Sequence, residues 1–372
     1  MFAGMPPIST GASIAEIDTP ALVLDLDAFE RNLATMTQAV RGSGARLRPH
    51  AKSHKCPEIA KRQIKAGAVG ICCQKVSEAE AFIDAGVRDV LVTNEIVGAA
   101  KIRRLAGLAR RARIAVCVDD ARNVQELAAA AIEAGVVIDV LIEINVGADR
   151  CGVLPGEPAL ALARVIKSVP ILRFAGLHAY QGSAQHLRSV AERRGAIERA
   201  AAAARTTKEL LGNAGIACET ITGAGTGSFM FEAASTVYNE LQPGSYIFMD
   251  ADYNANAWEG LPQFEESLFV FTSVLSTPTP NRIVVDAGLK ASSIDSGMPV
   301  IAGAPGLEYI KASDEHGVVR VADNARMPAL GEQLRLIPGH CDPTVNLYDW
   351  MICIRDQRVE TVWPISARGA LA

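Results

Sequence analysis

The chain has 372 residues, of which 49% are hydrophobic and 21% are charged, and its formal net charge at pH 7 is −4. This length suits one large barrel or a barrel with a second, smaller domain. The apolar content excludes disordered and fibrous proteins, and the charge gives no reason to expect a nucleic-acid partner. No apolar run approaches the roughly 18 to 20 residues of a membrane span, and residues 1–12 lack a secretory signal. We therefore expect a cytoplasmic protein with no membrane partner.

Short β-branched runs alternate with longer segments of helical period, which is typical of βα units around a parallel sheet. Residues 17–24 precede a predicted helix at 27–42 and lie outside this alternation, so we assign them to a second domain. Eight strands then follow, at residues 47–52, 70–74, 89–94, 113–118, 139–145, 173–180, 219–223 and 239–248. The helices predicted between them include residues 77–86, 121–135, 157–168 and 184–215.

Eight parallel strands with intervening helices close most naturally into a (β/α)8 barrel. An open doubly wound sheet is the alternative, but it usually has a glycine-rich turn after its first strand, and residues 47–52 are followed by none. Beyond residue 259 the helical period ends, and alternating runs between Gly, Pro and Asp turns predict an antiparallel β domain. These runs are residues 267–272, 282–286, 333–337 and 359–363. The predicted fold is therefore α/β, with a barrel at 26–258 and a β domain formed by 1–25 and 259–372.

The eight cysteines are scattered and form no CxxC pair. Several of them lie in apolar strand-like runs, where a free cysteine behaves as a small buried hydrophobic residue. We expect reduced thiols, in keeping with the cytoplasm.

Lys52 is the first candidate for chemistry, because the active site of such a barrel lies at the C-terminal ends of its strands. A lysine at the end of a buried strand is unusual, since removing an ammonium group from water costs several kcal/mol. We expect its apolar approach and basic neighbours to depress its pKa and to make it a nucleophilic amine. A solvated lysine on a loop is the alternative.

A glycine-rich loop, residues 223–228, follows the seventh predicted strand. Backbone N–H groups free of side-chain obstruction bind phosphate, and the loops after strands seven and eight are the usual phosphate site of these barrels. A phosphate site together with a lysine at the barrel mouth suggests pyridoxal 5′-phosphate held as a Schiff base.

Eight short motifs occur in order along nearly the whole chain: PHAKSHK at 49–55, CCQKVSE at 72–78, RCGV at 150–153, AYQGS at 179–183, GTGS at 225–228, QPGSY at 242–246, DEHG at 314–317 and PGHCDPT at 338–344. Together they resemble the D-threonine aldolase and D-serine dehydratase-like family of fold-type III pyridoxal-phosphate enzymes. The resemblance implies an alanine racemase-like fold and a homodimer.

The resemblance also implies roles for individual residues. Lys52 would carry the cofactor, and the other implied cofactor-binding residues are His50, Gln74, Arg150, Tyr180, Thr222, Gly225, Thr226, Gly244 and Ser245. An arginine near the phenolic oxygen of the cofactor is physically sensible, because a permanent cation stabilises the deprotonated oxygen. A surface ion pair remains the alternative for Arg150, and a core aromatic remains the alternative for Tyr180.

A candidate metal pair lies in the second domain. His340 and Asp342 are two residues apart in what looks like an extended segment, so their side chains should share one side. Imidazole and carboxylate together suit a divalent metal, with Mn²⁺ as the first expectation and Mg²⁺ or Zn²⁺ as alternatives. A structural pair is the other interpretation. In the D-serine dehydratases of the resembling family a cysteine usually replaces this carboxylate, so Asp342 favours the aldolase.

The predicted activity is cleavage of a small-molecule D-3-hydroxy amino acid to glycine and an aldehyde. His186 is the candidate base for the 3-hydroxyl group, with a surface histidine at a helix start as the alternative. A dehydratase is the nearest rival. A racemase would need a second base such as Tyr309 or Tyr348, and a non-catalytic cofactor carrier would need neither the β domain nor the metal pair.

Overall fold

The computed structural model describes residues 4–372, so residues 1–3 of the predicted β domain lie outside the described residues. These described residues form two sheets, one of eight strands and one of nine. After a 3₁₀ turn at Ile14–Glu16 come strand β1 (Ala21–Asp25) and helix α1 (Leu26–Val40). The Asp25 side chain accepts the amide N–H groups of Asp27 and Ala28, which ends the strand and caps the helix.

Eight parallel strands form the barrel, as predicted. They are β2 (Arg46–Leu47), β3 (Ile71–Cys73), β4 (Asp89–Glu95), β5 (Arg113–Val118), β6 (Ile138–Glu143), β7 (Leu172–His178), β8 (Thr220–Gly223) and β9 (Glu240–Leu241). The sheet runs from β2 through β9 and β8 down to β3. It closes where His50 pairs in parallel with Cys72 and the Ala51 amide donates to the Cys72 carbonyl at 2.8 Å. The fold class predicted from the sequence is confirmed.

Helices connect these strands. They are α2 (Pro57–Lys65), α3 (Val76–Asp84), α4 (Ala99–Leu108), α5 (Ala121–Ala134), α6 (Glu157–Lys167), α7 (Val190–Asn213), α8 (Phe229–Ala234) and α9 (Ala251–Asn254). The helix predicted at 184–215 is wrong at its start, because Ser189 and Glu192 form a capping box that begins α7 at Val190. A separate 3₁₀ turn, Gly182–His186, precedes it. Within the described residues, no helix is both long and apolar enough to span a membrane.

Two predicted strands are too long. The strand at 239–248 ends at Leu241, and Ser245–Ile247 form a 3₁₀ turn beyond Pro243. The strand at 47–52 is regular only at Arg46–Leu47, and Lys52 lies in the turn that follows His50. Both corrections place polar residues in loops at the C-terminal end of the barrel, where side chains and backbone amides are free to face a ligand.

The second sheet contains β1 and eight strands from the C-terminal part of the chain. They are β10 (Leu268–Thr279), β11 (Arg282–Val285), β12 (Val300–Ile301), β13 (Leu307–Ala312), β14 (Gly317–Val321), β15 (Gln333–Ile337), β16 (Trp350–Arg355) and β17 (Arg358–Pro364). Its pairs are antiparallel except that β1 pairs in parallel with β16. The domain boundaries at residues 26 and 258 stay a prediction.

The two sheets meet close to helix α10 (Cys341–Val345) of the second domain. The amides of Ala251 and Asp252 in α9 donate to the carbonyls of Pro338 and Gly339 at 3.0 and 3.3 Å. The Asp250 carboxylate accepts the Cys341 amide at 2.9 Å. These three hydrogen bonds fix the start of α10 over the C-terminal end of the barrel.

Candidate active site

A cavity of about 570 Å³ opens at the C-terminal ends of the barrel strands. Nine of the ten residues predicted to bind the cofactor line it, namely His50, Lys52, Gln74, Arg150, Tyr180, Gly225, Thr226, Gly244 and Ser245. Five further residues complete the wall: Thr93, His178, Ala224, Gln242 and Tyr253. The structure therefore brings the predicted cofactor residues together, while their individual roles stay predictions.

Lys52 reaches from the turn after β2 to the second domain. Its Nζ forms an ion pair with the Asp342 carboxylate, and its side chain is 42% exposed because it borders the open cavity. Burial by the surrounding protein disfavours the ammonium form, but the Asp342 charge outweighs it and holds the pKa of Lys52 above its ordinary value. The expected depressed pKa is therefore wrong, because the pattern of neighbours in sequence did not include a carboxylate 290 residues away.

A hydrogen-bonded group of polar side chains forms one wall of the cavity. His50 Nε2 lies 2.9 Å from Thr93 Oγ1 and 3.0 Å from Gln74 Nε2. Gln74 Nε2 also donates to Thr93 Oγ1 at 3.1 Å. Burial and the nearby Lys52 ammonium hold the pKa of His50 well below its ordinary value, so His50 is neutral at pH 7.

The loops after β8 and β9 form an anion site. Thr226, Gly244 and Ser245 line the cavity, and their backbone amides donate to no acceptor among residues 4–372. Thr226 Oγ1 accepts the Tyr246 amide at 2.9 Å and so joins the two loops. A Cβ atom on Gly225 would collide with the Gln185 side chain, which explains the glycine at this position. Buried donors without partners are costly, and three that share one cavity fit a phosphate group.

Arg150 and His178 share a buried carboxylate. Arg150 packs on the Tyr180 ring, with its guanidinium carbon 5.6 Å from the ring centroid, and lies 3.5 Å from Glu143 Oε1. His178 Nδ1 is 3.1 Å from Glu143 Oε2. Burial opposes the imidazolium form, but the Glu143 charge outweighs burial and raises the pKa of His178. The sequence analysis missed His178 as a wall residue.

Thr222 is the one predicted cofactor residue outside the cavity wall. It is fully buried, and its hydroxyl accepts Gln242 Nε2 at 2.7 Å. Gln242 Oε1 in turn lies 3.2 Å from His178 Nε2. Thr222 therefore supports Gln242 and, through it, His178, while its predicted contact with the cofactor stays a prediction.

The candidate metal pair lies at the start of α10. The extended segment predicted for residues 340–342 is wrong, because His340 is the N-cap of α10 and Asp342 lies in its first turn. His340 Nδ1 lies 2.8 Å from Asp295 Oδ2, and Asp342 contacts Lys52 and Ser245 at the cavity. An imidazole and a carboxylate at one helix start are a donor set that suits a divalent metal.

His186 lies at the edge of the cavity and not in its wall. Its Nδ1 is 2.7 Å from Asp252 Oδ2, and its ring centroid is 6.4 Å from that of the wall residue Tyr253. Arg188 donates to the other Asp252 oxygen at 2.6 Å. The His186 side chain is 55% exposed, and its Nε2 has no hydrogen-bond partner among residues 4–372. Its role as a base stays a prediction.

The two tyrosines considered as the second base of a racemase form hydrogen bonds outside the cavity. The Tyr309 hydroxyl donates to the Ala287 carbonyl, and the Tyr348 hydroxyl donates to the Ala291 carbonyl, both at 2.8 Å. Neither residue lines the cavity. All eight cysteines are free thiols, as expected.

Comparisons with known proteins define the class. The alanine racemase N-terminal domain matches residues 24–252, and a putative serine dehydratase domain matches residues 267–354. The chain belongs to the D-threonine aldolase and D-serine dehydratase-like family of fold-type III pyridoxal-phosphate enzymes, which confirms the resemblance seen in its motifs.

Three relatives narrow the assignment. The chain is 53% identical to a D-threonine aldolase of Arthrobacter sp, over 98% of this chain and 96% of that protein. It is 47% identical to a 3-hydroxy-D-aspartate aldolase of Paracoccus denitrificans (strain Pd 1222), over 98% and 95%. The crystal structure of a D-threonine aldolase from Filomicrobium marinum is 51% identical, with a TM-score of 0.97 over 98% of this chain and 100% of that one. The chain is therefore an enzyme of the carbon–carbon lyase class.

Proposed function

We propose that this enzyme cleaves D-3-hydroxy amino acids of the D-threonine type to glycine and an aldehyde, using pyridoxal 5′-phosphate and a divalent metal. The observation that carries the proposal is the contact between Lys52 and Asp342. It joins the cofactor lysine of the barrel to the candidate metal ligand of the second domain at one cavity. A reaction that needs the cofactor and the metal to act on the same small substrate could therefore take place in this cavity.

The residues of the cavity fit the cofactor. The free amides of Thr226, Gly244 and Ser245 would hold its phosphate, and Lys52 would hold its carbonyl carbon. When bound, pyridoxal phosphate supplies an electron sink for the substrate bond that breaks. Gln74 and His50 form a neutral, hydrogen-bonded wall that orients groups against it. Arg150 adds a permanent positive charge.

His340 and Asp342 would hold the metal, with Mn²⁺ proposed first and Mg²⁺ or Zn²⁺ as alternatives. A bound divalent ion would supply a positive charge that lowers the pKa of a hydroxyl group attached to it. Asp342 contacts Lys52 and His340 is the N-cap of the same helix, so one substrate would reach the cofactor lysine and this pair together.

His186 holds the proton that the substrate hydroxyl loses. Its Nδ1–H donates to Asp252, which leaves the Nε2 lone pair available to accept a proton. The buried Asp252 carboxylate, itself fixed by Arg188, keeps the ring in this orientation and stabilises the positive charge that proton uptake creates. Asp252 is therefore a positioning residue for this step.

The dehydratase remains the nearest rival, since it would use the same cavity and the same pair. It differs in the bond that breaks, so its products from D-serine are pyruvate and ammonia. We also propose that the enzyme is a cytoplasmic homodimer, which the family resemblance and the composition support.

The test is product analysis on purified protein. Glycine and acetaldehyde should form from D-threonine, and formation should stop in Lys52→Ala and after exhaustive treatment with EDTA. Borohydride should reduce the cofactor onto the wild-type chain and not onto Lys52→Ala. If the protein forms pyruvate from D-serine and no glycine from D-threonine, the enzyme is a dehydratase and not an aldolase. If the activity survives metal removal, the proposed role of the metal is rejected.

A further inference from the structure

The candidate metal ligand His340 has a carboxylate partner that the sequence motifs do not contain. Asp295 Oδ2 lies 2.8 Å from His340 Nδ1, although the two residues are 45 positions apart. We infer that Asp295 positions His340 for metal binding, by accepting the Nδ1 proton and leaving Nε2 as the metal-binding atom. This inference rests on the metal site of the proposed function.

Asp295 is itself held in place by two serines. Ser293 Oγ donates to Asp295 Oδ1 at 2.8 Å, and Ser296 Oγ donates to Asp295 Oδ2 at 3.1 Å. Both oxygens therefore have a donor in addition to the imidazole. Although the Asp295 side chain is half exposed, its orientation toward His340 is set by local hydrogen bonds rather than by chance rotation.

The loop that carries Asp295 is joined to the helix that carries His340. The Ser293 amide donates to Thr344 Oγ1 at 3.2 Å, and Thr344 Oγ1 donates to the His340 carbonyl at 2.9 Å. Gly339 packs so closely on Gly297 that a Cβ atom on Gly339 would collide with the Gly297 carbonyl oxygen. The loop and the helix start are therefore built as one unit around the imidazole.

The chemistry of the pair follows from the two ring nitrogens. A neutral imidazole has one N–H donor and one acceptor nitrogen, and a metal needs the acceptor. A carboxylate on Nδ1 fixes which nitrogen carries the proton and makes the other nitrogen a better ligand. Ser296 Oγ also lies 3.4 Å from Nδ1, but this long contact to a neutral hydroxyl cannot replace the charge.

The experiment is a Mn²⁺ titration of the full-length, cofactor-loaded protein after metal removal, with free Mn²⁺ followed by electron paramagnetic resonance. In Asp295→Ala and Asp295→Asn the Kd for Mn²⁺ should rise by roughly 10- to 100-fold, the range found when such partners of metal-binding histidines are lost. Asp323→Asn is the matched control. Asp323 is an exposed aspartate of the same domain with no hydrogen bond or ion pair to any residue from 4 to 372. The Kd of the Asp323→Asn variant for Mn²⁺ should therefore stay within about twofold of the wild-type value.

His340→Ala separates the inference from the proposed function. If His340→Ala abolishes tight Mn²⁺ binding while both Asp295 variants keep the wild-type Kd, the metal site stands and the role of Asp295 is rejected. If His340→Ala binds Mn²⁺ as tightly as wild type, both the proposed metal site and the inference about Asp295 are rejected.

A second measurement is which ring nitrogen of His340 carries the proton. This position would not change in the Asp295 variants if Asp295 had only a structural role. In ¹⁵N spectra of the metal-free protein, His340 should carry its proton on Nδ1, with the signal identified by its loss in His340→Gln. Asp295→Ala should move the proton toward Nε2. An unchanged proton position in Asp295→Ala, with the unfolding temperature preserved, would overturn the inference.

Discussion

Replacing Glu232 with glutamine should stabilise the fold at neutral and alkaline pH. Glu232 lies on α8 beneath the glycine-rich loop and is only 1% exposed. Its Oε1 accepts Ser228 Oγ at 2.8 Å, while its Oε2 has no partner among residues 4–372. Burial raises the pKa of Glu232 from 4.5 to about 8, and the hydrogen bond from Ser228 only partly opposes it.

The sign of the change in the free energy of unfolding depends on whether the Glu232 carboxyl group is protonated in the folded and in the unfolded chain. Between pH 4.5 and about 8 the unfolded chain has lost this proton and the folded chain keeps it. Folding must then take up a proton, so the free energy of unfolding falls as the pH rises through this window. At pH 7 the penalty is about 3 kcal/mol, and it is absent below pH 4.5.

Glutamine has the shape of the neutral acid and cannot ionise, so Glu232→Gln should remove the penalty. Urea unfolding at pH 5, 7 and 8.5, with matched cofactor content, should show a gain that grows with pH to about 3 kcal/mol or more. The control is Glu198→Gln on the exposed side of α7, which should give no pH-dependent gain. A Glu232→Gln protein with the pH dependence of wild type would refute the reasoning.

Three further outcomes test the active site. Asp342→Ala should keep the absorbance band of the lysine-bound cofactor but lower turnover on D-threonine by at least ~100-fold, and a smaller loss would remove Asp342 from the reaction. Asp252→Asn should lower kcat by at least ~10-fold while the Kd for Mn²⁺ stays at the wild-type value, and a loss of metal binding instead would mean that its role is structural. D-threonine and D-allo-threonine should both be cleaved, with the L-isomers slower by at least ~100-fold, about 2.7 kcal/mol of transition-state discrimination, because the metal and the phosphate site admit one configuration at Cα. Comparable rates on D- and L-threonine would contradict that geometry.

The cofactor cavity was predictable because its residues lie at the ends of regular strands. Gln74 and the loop at 223–228 follow barrel strands directly, Lys52 follows the short strand β2 after one turn, and parallel strands bring such ends together. The QPGSY motif contains Gln242, but the sequence offered no comparable signal for Thr93, because a single buried polar residue in a strand is also an ordinary core position.

The second-domain part of the site was harder to predict. A five-residue helix such as α10 has too little periodicity to differ from a strand, so the segment that carries His340 and Asp342 was predicted to be extended. Contacts between residues that are distant in sequence could not be predicted either. Asp252 and Asp295 lie 66 and 45 residues from the histidines that they contact, and only the tertiary fold determines those pairs.

The hydrogen bonds between residues 250–252 and residues 338–341 also restrict how the two domains can be exchanged. A chimera that takes the barrel from one relative and the β domain from another breaks this joint unless both short segments come from the same parent. The Asp250 carboxylate, with no exposed surface, would then face a backbone that it was not shaped to meet. Recombination across this family should therefore treat α9 as belonging with the β domain, although it is part of the barrel chain.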